Sequence, residues 1–383
     1  MKKISGKKVI AFILSLVLSG LLGVPCALSD SVVAEGETGG TRWVLTDNGE
    51  LTISGSGPMK EPHDWDPKTW AAYNGSVRKV TIEKGVTTIA PKAFAGCVNL
   101  TEVRIPDGIT KVGNSAFSDC HLLKSILLPE GVKEIGSFVF ANCFALTSVV
   151  IPASVEKIGD NAFSCCGLAD PANDYFCQEI EVYAGSLCGV TFTLTVKQGS
   201  CAEQYAKEKE LAFDNGKQRT PGRQERIYEK VDDVIRQCIK PGMTDRQKAK
   251  ALHDWVVYHA YYGGQSKPGC ILLEGYGYCT DYAEAYSLLL SRAGVTNTIA
   301  SGSIAGDGGH SWNRVYIDGA WYHVDTTFDD PGQNNGRRSG HERSKYFMMT
   351  DDQISKDHIS NNLDTEEFPH WQCRLPEELH HTH

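Results

Sequence analysis

Ala93-Phe94-Ala95-Gly96-Cys97, Ala116-Phe117-Ser118-Asp119-Cys120, Val139-Phe140-Ala141-Asn142-Cys143 and Ala162-Phe163-Ser164-Cys165-Cys166 align without a gap, each 23 residues after the one before. The same step carries Ile89, Val112, Ile135 and Ile158, and also Val86, Ile109, Val132 and Val155. Leu100, Leu123 and Leu146 follow each cysteine by three. Short alternating stretches repeat with them: Val80-Thr81-Ile82, Val103-Arg104-Ile105, Ile126-Leu127-Leu128 and Val149-Val150-Ile151, the last three followed by proline. One such unit cannot bury its apolar side alone. Stacked units bury one another's Val, Ile, Leu and Phe, so the pattern predicts a solenoid with a strand ladder on one face.

Outward from the repeats lie an opening segment, Trp43-Val44-Leu45 with Leu51-Thr52-Ile53, and a closing one, Gly199-Ser200-Cys201-Ala202-Glu203-Gln204-Tyr205-Ala206. The period falls within the roughly 20–29 residues of leucine-rich repeats. The units carry I-G-x-x-A-F-x-x-C-x-x-L and resemble the BspA-like leucine-rich repeats of bacterial surface proteins, over about residues 41 to 213. With its caps the solenoid is expected to span 35–213. Of the 13 cysteines, Cys97, Cys120, Cys143 and Cys166 share one repeat position, which makes them stacked core thiols rather than bridges. Cys165, Cys177, Cys188 and Cys201 break the period and leave room for one or two disulfides. No C-x-x-C pair occurs, so neither a zinc site nor any other metal or cofactor is expected.

Lys2, Lys3, Lys7 and Lys8 precede a mostly apolar run from Val9 to Val24, with Ala27 and Ser29 beyond it. This is the layout of a secretory signal peptide over residues 1–29. The run is shorter than the about 20 residues of a spanning helix, so no membrane span is expected after cleavage. The chain has 383 residues, 41% of them hydrophobic and 22% charged, which excludes disordered, collagenous and polytopic membrane classes. Its length favours two domains. A net charge of −9, more negative once the lysine-rich end is removed, repels phosphate backbones; nucleic acid is not an expected partner.

Residues 214–223 are rich in Gly, Pro, Asn and basic side chains and read as a linker. Helical spacing follows from Gln224 to Cys238, stopped by Pro241-Gly242. Thr244 with Gln247 then forms a capping box that opens a second helix. In Gly275-Tyr276-Gly277-Tyr278-Cys279-Thr280-Asp281-Tyr282-Ala283, glycines and aromatics lead into a helical face that runs to Gly294. Cys279 therefore sits at a helix start, where unpaired N–H groups and the dipole favour a thiolate. Gly309-His310-Ser311-Trp312-Asn313 opens an apolar strand, Asp318-Gly319 is a hairpin turn, and Trp321-Tyr322-His323-Val324 returns to Asp325. That hairpin brings His310 and Asp325 to one end. A thiol nucleophile needs a base, and the base needs a carboxylate to fix its tautomer.

These three blocks, in the order Cys279, His310, Asp325, resemble the transglutaminase-like superfamily, with a papain-like cysteine enzyme fold. The match runs from about residue 224 to about 358. The expected architecture is thus a leucine-rich repeat solenoid followed by an α+β transglutaminase-like domain over 224–383. The resemblance implies that Cys279, His310 and Asp325 are catalytic and that acyl transfer proceeds through a thioester to an amine or to water. Tyr276, Tyr278 and Trp312 are expected to line the substrate cleft, and the partner is a protein or peptide, with a host or matrix protein engaged by the solenoid. The competing reading is a surface adhesin whose second domain is inert.

Overall fold

The computed structural model describes residues 31–62, 69–167, 192–304, 308–330 and 344–360. The signal-peptide assignment, Cys177 and Cys188 lie outside them. Among the described residues no helix is long and apolar enough to cross a membrane.

An antiparallel hairpin of Val32–Thr46 and Glu50–Met59 opens the fold. Its second strand starts two parallel ladders rather than the single one expected. One continues through Lys79–Ile82 to Glu102–Arg104. The other runs through Val86–Ile89, Lys111–Val112, Glu134–Ile135 and Lys157–Ile158, pairing Thr88 with Lys111, Lys111 with Glu134 and Glu134 with Lys157. The sequence step is thus the pairing register. The Ile126-Leu127-Leu128 stretch forms only a bridge, from Leu127 to Val150.

Between the ladders the rings of Phe94, Phe117, Phe140 and Phe163 stack at centroid distances of 5.2, 5.7 and 5.5 Å. Trp70 stacks on one end and Phe192 on the other. Beside them Cys120, Cys143 and Cys166 direct their thiols at the carbonyls of Phe94, Phe117 and Phe140, at 3.3, 3.2 and 3.2 Å. These thiols are buried and unbridged, and burial pushes their pKa values up. A small S–H fills a core gap and satisfies a carbonyl at once. Cys201 is also a free thiol. Each coil turns at a left-handed residue in one repeat position, Lys92, Ser115 or Phe138. That turn aims its N–H at the next coil, onto Asn114, Ser137 and Asp160 carbonyls at 2.9, 2.9 and 3.0 Å. Gly136 is glycine because a Cβ there would lie 2.7 Å from the Asn114 nitrogen of the preceding coil. Helix α1 (Cys201–Glu208) closes the stack, with the Tyr205 hydroxyl accepting the Ala162 N–H at 3.2 Å.

Residues 214–223, expected as a linker, are hydrogen-bonded into the fold. Ala212–Asp214 pairs parallel with Thr193–Thr195, and Arg219–Thr220 folds back on it. Helix α2 (Arg223–Cys238) starts at once. Its first residue bonds Glu210 of the solenoid end at 3.0 Å, Glu274 at 2.8 and 2.9 Å, and the Pro268 carbonyl at 2.7 Å.

A second hydrophobic core begins at Ile227. Helix α3 (Asp245–His259) carries the expected capping box, with Thr244 and Gln247 exchanging bonds of 2.9 and 3.3 Å. After a short α4 (Cys270–Leu273) comes α5 (Cys279–Arg292), buried through Tyr282, Ala283, Tyr286 and Leu289. An antiparallel sheet lies against it, in the order Phe347–Met349, Ala320–Val324, Gly309–Ile317, Asn297–Ile304, His358–Ser360.

Candidate active site

Cys279 is the first residue of α5, so its N–H belongs to the unpaired first turn of the helix. The approach to it is rigid. The Asp281 carboxylate accepts the Tyr278 N–H at 2.8 Å and the Ser266 hydroxyl at 2.7 Å. Gly277 allows that contact, since a Cβ on it would meet Asp281 Cβ at 2.6 Å. Helix and sheet are then tied together: Asn313 Nδ2 donates to the Ala283 carbonyl at 2.9 Å, and Thr280 and Ser311 hydroxyls meet at 3.5 Å. This seam sets Cys279 against His310 and Ser311.

His310 and Asp325 come from the two sides of one hairpin. The pairing of Ile317 with Ala320 leaves a two-residue turn, Asp318-Gly319, with both φ angles positive. Asp325 ends the return strand as the N-cap of α6 (Thr326–Asp329), where its Oδ1 accepts the N–H groups of Thr327 and Phe328 at 2.9 and 3.1 Å. His310 Nε2 donates to Asp325 Oδ2 at 2.7 Å. With Nε2 engaged, Nδ1 is the nitrogen that faces the thiol.

The electrostatics follow this geometry. Burial pushes the Cys279 thiol up, but hydrogen bonds from His310 and the Ser311 N–H, with the His310 charge, outweigh it and hold the thiol below its ordinary value. Burial disfavours the His310 cation, yet Asp325 and Cys279 raise its pKa to about 9. Burial likewise opposes ionisation of Asp325, and the hydrogen bonds from His310 and His358 overcome it. Cys279 itself is half-buried and open to solvent, while His310 and Asp325 are buried. The arrangement favours a thiolate beside an imidazolium, with a carboxylate behind.

Tyr278 is exposed, with its hydroxyl on the Gly264 carbonyl at 3.1 Å, and Tyr276 is half-buried against Tyr261. Trp312, expected in the cleft, is instead only 1% exposed. It lies on the same strand face as His310, stacks on it at 5.9 Å, and donates Nε1–H to His323 Nδ1 at 2.8 Å. It packs against His310 from the interior. His323 consequently accepts at Nδ1 and donates Nε2–H to Asp351.

One residue escaped the sequence reading. His358 Nε2 reaches the same Asp325 Oδ2 at 2.9 Å. The donor atoms of His310, Asp325 and His358 lie within 4.8 Å of one another, a grouping that could hold a metal ion. Both Nε2–H groups are directed at one carboxylate oxygen, however, so the arrangement reads as hydrogen-bonded rather than metal-ligating. The only local signal was the adjacent acid, Asp357.

The family model for the BspA type leucine rich repeat region matches six times within residues 69–189. That for the transglutaminase-like superfamily matches residues 232–326, which include Cys279, His310 and Asp325. The chain carries a BspA-type leucine-rich repeat region and a transglutaminase-like domain. Human kyphoscoliosis peptidase is 25% identical to this chain over 118 residues, 26% of this chain and 18% of its own length. The chain thus spans about a fifth of the length of the curated relatives it matches. A leucine-rich repeat protein from Eubacterium ventriosum aligns at 27% identity over 33% of this chain and 40% of its own, with a TM-score of 0.28. The crystal structure of a TGase aligns at 18% identity over 38% of this chain and 42% of its own, with a TM-score of 0.25.

Proposed function

We propose that this is an exported cysteine enzyme that transfers acyl groups from protein or peptide amides, with the repeat region engaging the target. The observation that carries this reading is one hydrogen-bonded series: a solvent-open thiol at a helix start, an imidazole beside it and a carboxylate behind it. The Cys279 thiolate attacks the amide carbonyl. The oxyanion that forms is stabilised by N–H groups at the start of α5. His310 gives its proton to the leaving amine, and the acyl group remains on sulfur as a thioester. His310 then takes a proton from the incoming amine or water, which attacks the thioester and restores the thiolate. An amine acceptor makes the enzyme a transglutaminase; water makes it a peptidase or amidase.

Export rests on the basic and apolar N-terminal pattern, and BspA-like repeats fit a cell-surface setting. Leu127 and Val150, 71% and 51% exposed, sit side by side on successive coils and offer an apolar contact for a protein target. The same pair supports the second reading, an adhesin with an inert second domain. One comparison separates them: incorporation of a labelled amine into a glutamine-rich protein, run beside peptide cleavage, with Cys279→Ala as control. Turnover lost in the variant supports the enzyme. No turnover in either assay, with Cys279 alkylated by iodoacetamide no faster than Cys97, sinks it.

A further inference from the structure

We propose that His358 is a positioning residue for the Cys279–His310–Asp325 group, acting by pinning the same Asp325 oxygen that holds His310. The inference rests on the catalytic reading above. His358 opens the edge strand His358–Ser360, which pairs with Asn297–Ile304 and so lies across the sheet from the hairpin that bears His310. It is 2% exposed. Its Nε2 donates to Asp325 Oδ2 at 2.9 Å, the oxygen that already holds His310 at 2.7 Å, and its Nδ1 meets Asp357 Oδ1 at 2.8 Å. The rings of Phe328, Trp312 and Tyr346 stand 5.0, 5.1 and 5.6 Å from its own.

The geometry has two effects. An aspartate carboxylate turns about a soft torsion. Two backbone N–H groups fix one oxygen of Asp325, and His358 adds a second donor on the other, so the plane that orients His310 is fixed from both ends. The second effect is electrostatic: one oxygen serves two imidazoles, so His310 receives less of its charge than it would alone. Removal of His358 should loosen His310 and let it keep its proton to higher pH. The other ionisable groups facing His358 are Asp357, Tyr346 with Lys345 on its hydroxyl, His310, and His323 beyond Trp312.

The test compares His358→Gln, whose amide N–H can replace Nε2–H, with His358→Leu, which cannot donate. Both are made in the full chain and checked for folding by thermal melting. The readouts are kcat, KM and the pH profile of turnover, with Cys279 alkylation by iodoacetamide followed alongside. The Leu variant should lose about tenfold in kcat with little change in KM, the size of one lost charge-assisted hydrogen bond. Its alkaline limb should move to higher pH, and the Gln variant should recover most of both. An unchanged kcat and alkaline limb in a folded Leu variant, while the unaltered protein alkylates normally at Cys279, would overturn this inference alone. So would a Gln variant as impaired as Leu, which would leave only a packing role. Activity lost to EDTA and restored by Zn²⁺ would overturn it in favour of a metal site. Slow alkylation of Cys279 in the unaltered protein would instead remove the catalytic reading, and this inference with it.

Discussion

Asp325 divides its two oxygens between tasks: Oδ2 holds His310 at 2.7 Å, and Oδ1 caps α6 through Thr327 and Phe328. An Asn at this position keeps the cap, because asparagine is as good an N-cap as aspartate. Its NH₂ must then face both imidazoles, which forces His310 to accept at Nε2 and carry its proton on Nδ1. That tautomer cannot take the thiol proton. Asp325→Asn should therefore lower kcat by about 10⁴-fold, by analogy with the serine-protease triad. A kcat within tenfold of the unaltered enzyme would contradict the triad.

The pH dependence has a definite sign. Cys279 is held below the ordinary thiol value and His310 is raised to about 9. Alkylation and turnover should rise through an acid limb below the usual thiol range and turnover should fall as pH passes about 9. His310→Ala should move the alkylation limb of Cys279 upward and slow the reaction at neutral pH by at least about tenfold. Stability follows the same rule. The His310 contribution is full below its ordinary 6.5 and lost as pH rises through about 9. The Asp325 contribution is full above its ordinary 3.8 and lost as pH falls below it.

The repeat region should respond both to an added methyl group and to the loss of a ring. Gly136→Ala drives a Cβ into the backbone of the preceding coil and should cost about 1–3 kcal/mol in urea unfolding. Phe117→Ala opens the middle of the ring stack and should cost about 3–5 kcal/mol. Gly75→Ala, where a Cβ would meet nothing within 4 Å, is the control and should change stability by no more than about 0.5 kcal/mol.

Arg223 bonds Glu210 on the solenoid side and Glu274 and Pro268 on the other. Arg223→Met should leave kcat on small substrates unchanged. Limited proteolysis should then cut faster within 214–223, as the hairpin loses its anchor. Equal cutting rates would show that backbone pairing alone holds this segment.

Most of this architecture could be read from the chain because it is local or periodic. The 23-residue step is the pairing register itself, and the helix start at Cys279, the Thr244 capping box and the Asp318-Gly319 turn are short-range signals. His358 was not legible. It follows Asp325 by 33 residues and meets it only because the last described strand docks beside Asn297–Ile304, a tertiary event with no local signature. The interior position of Trp312 follows from strand geometry: residues two apart on a strand share a face, and His310 has to face Cys279. The doubled ladder was missed because Lys111–Val112 and its equivalents are two residues long, too short for alternation to register.

Among the described residues, the three junctions from Phe94 to Phe163 are the same junction, ring on ring, thiol on carbonyl, glycine against backbone. Gene segments that gain or lose one whole unit would therefore rejoin surfaces that already match. The length of the solenoid can drift between lineages by duplication or deletion, while the transglutaminase-like domain beyond it is inherited intact.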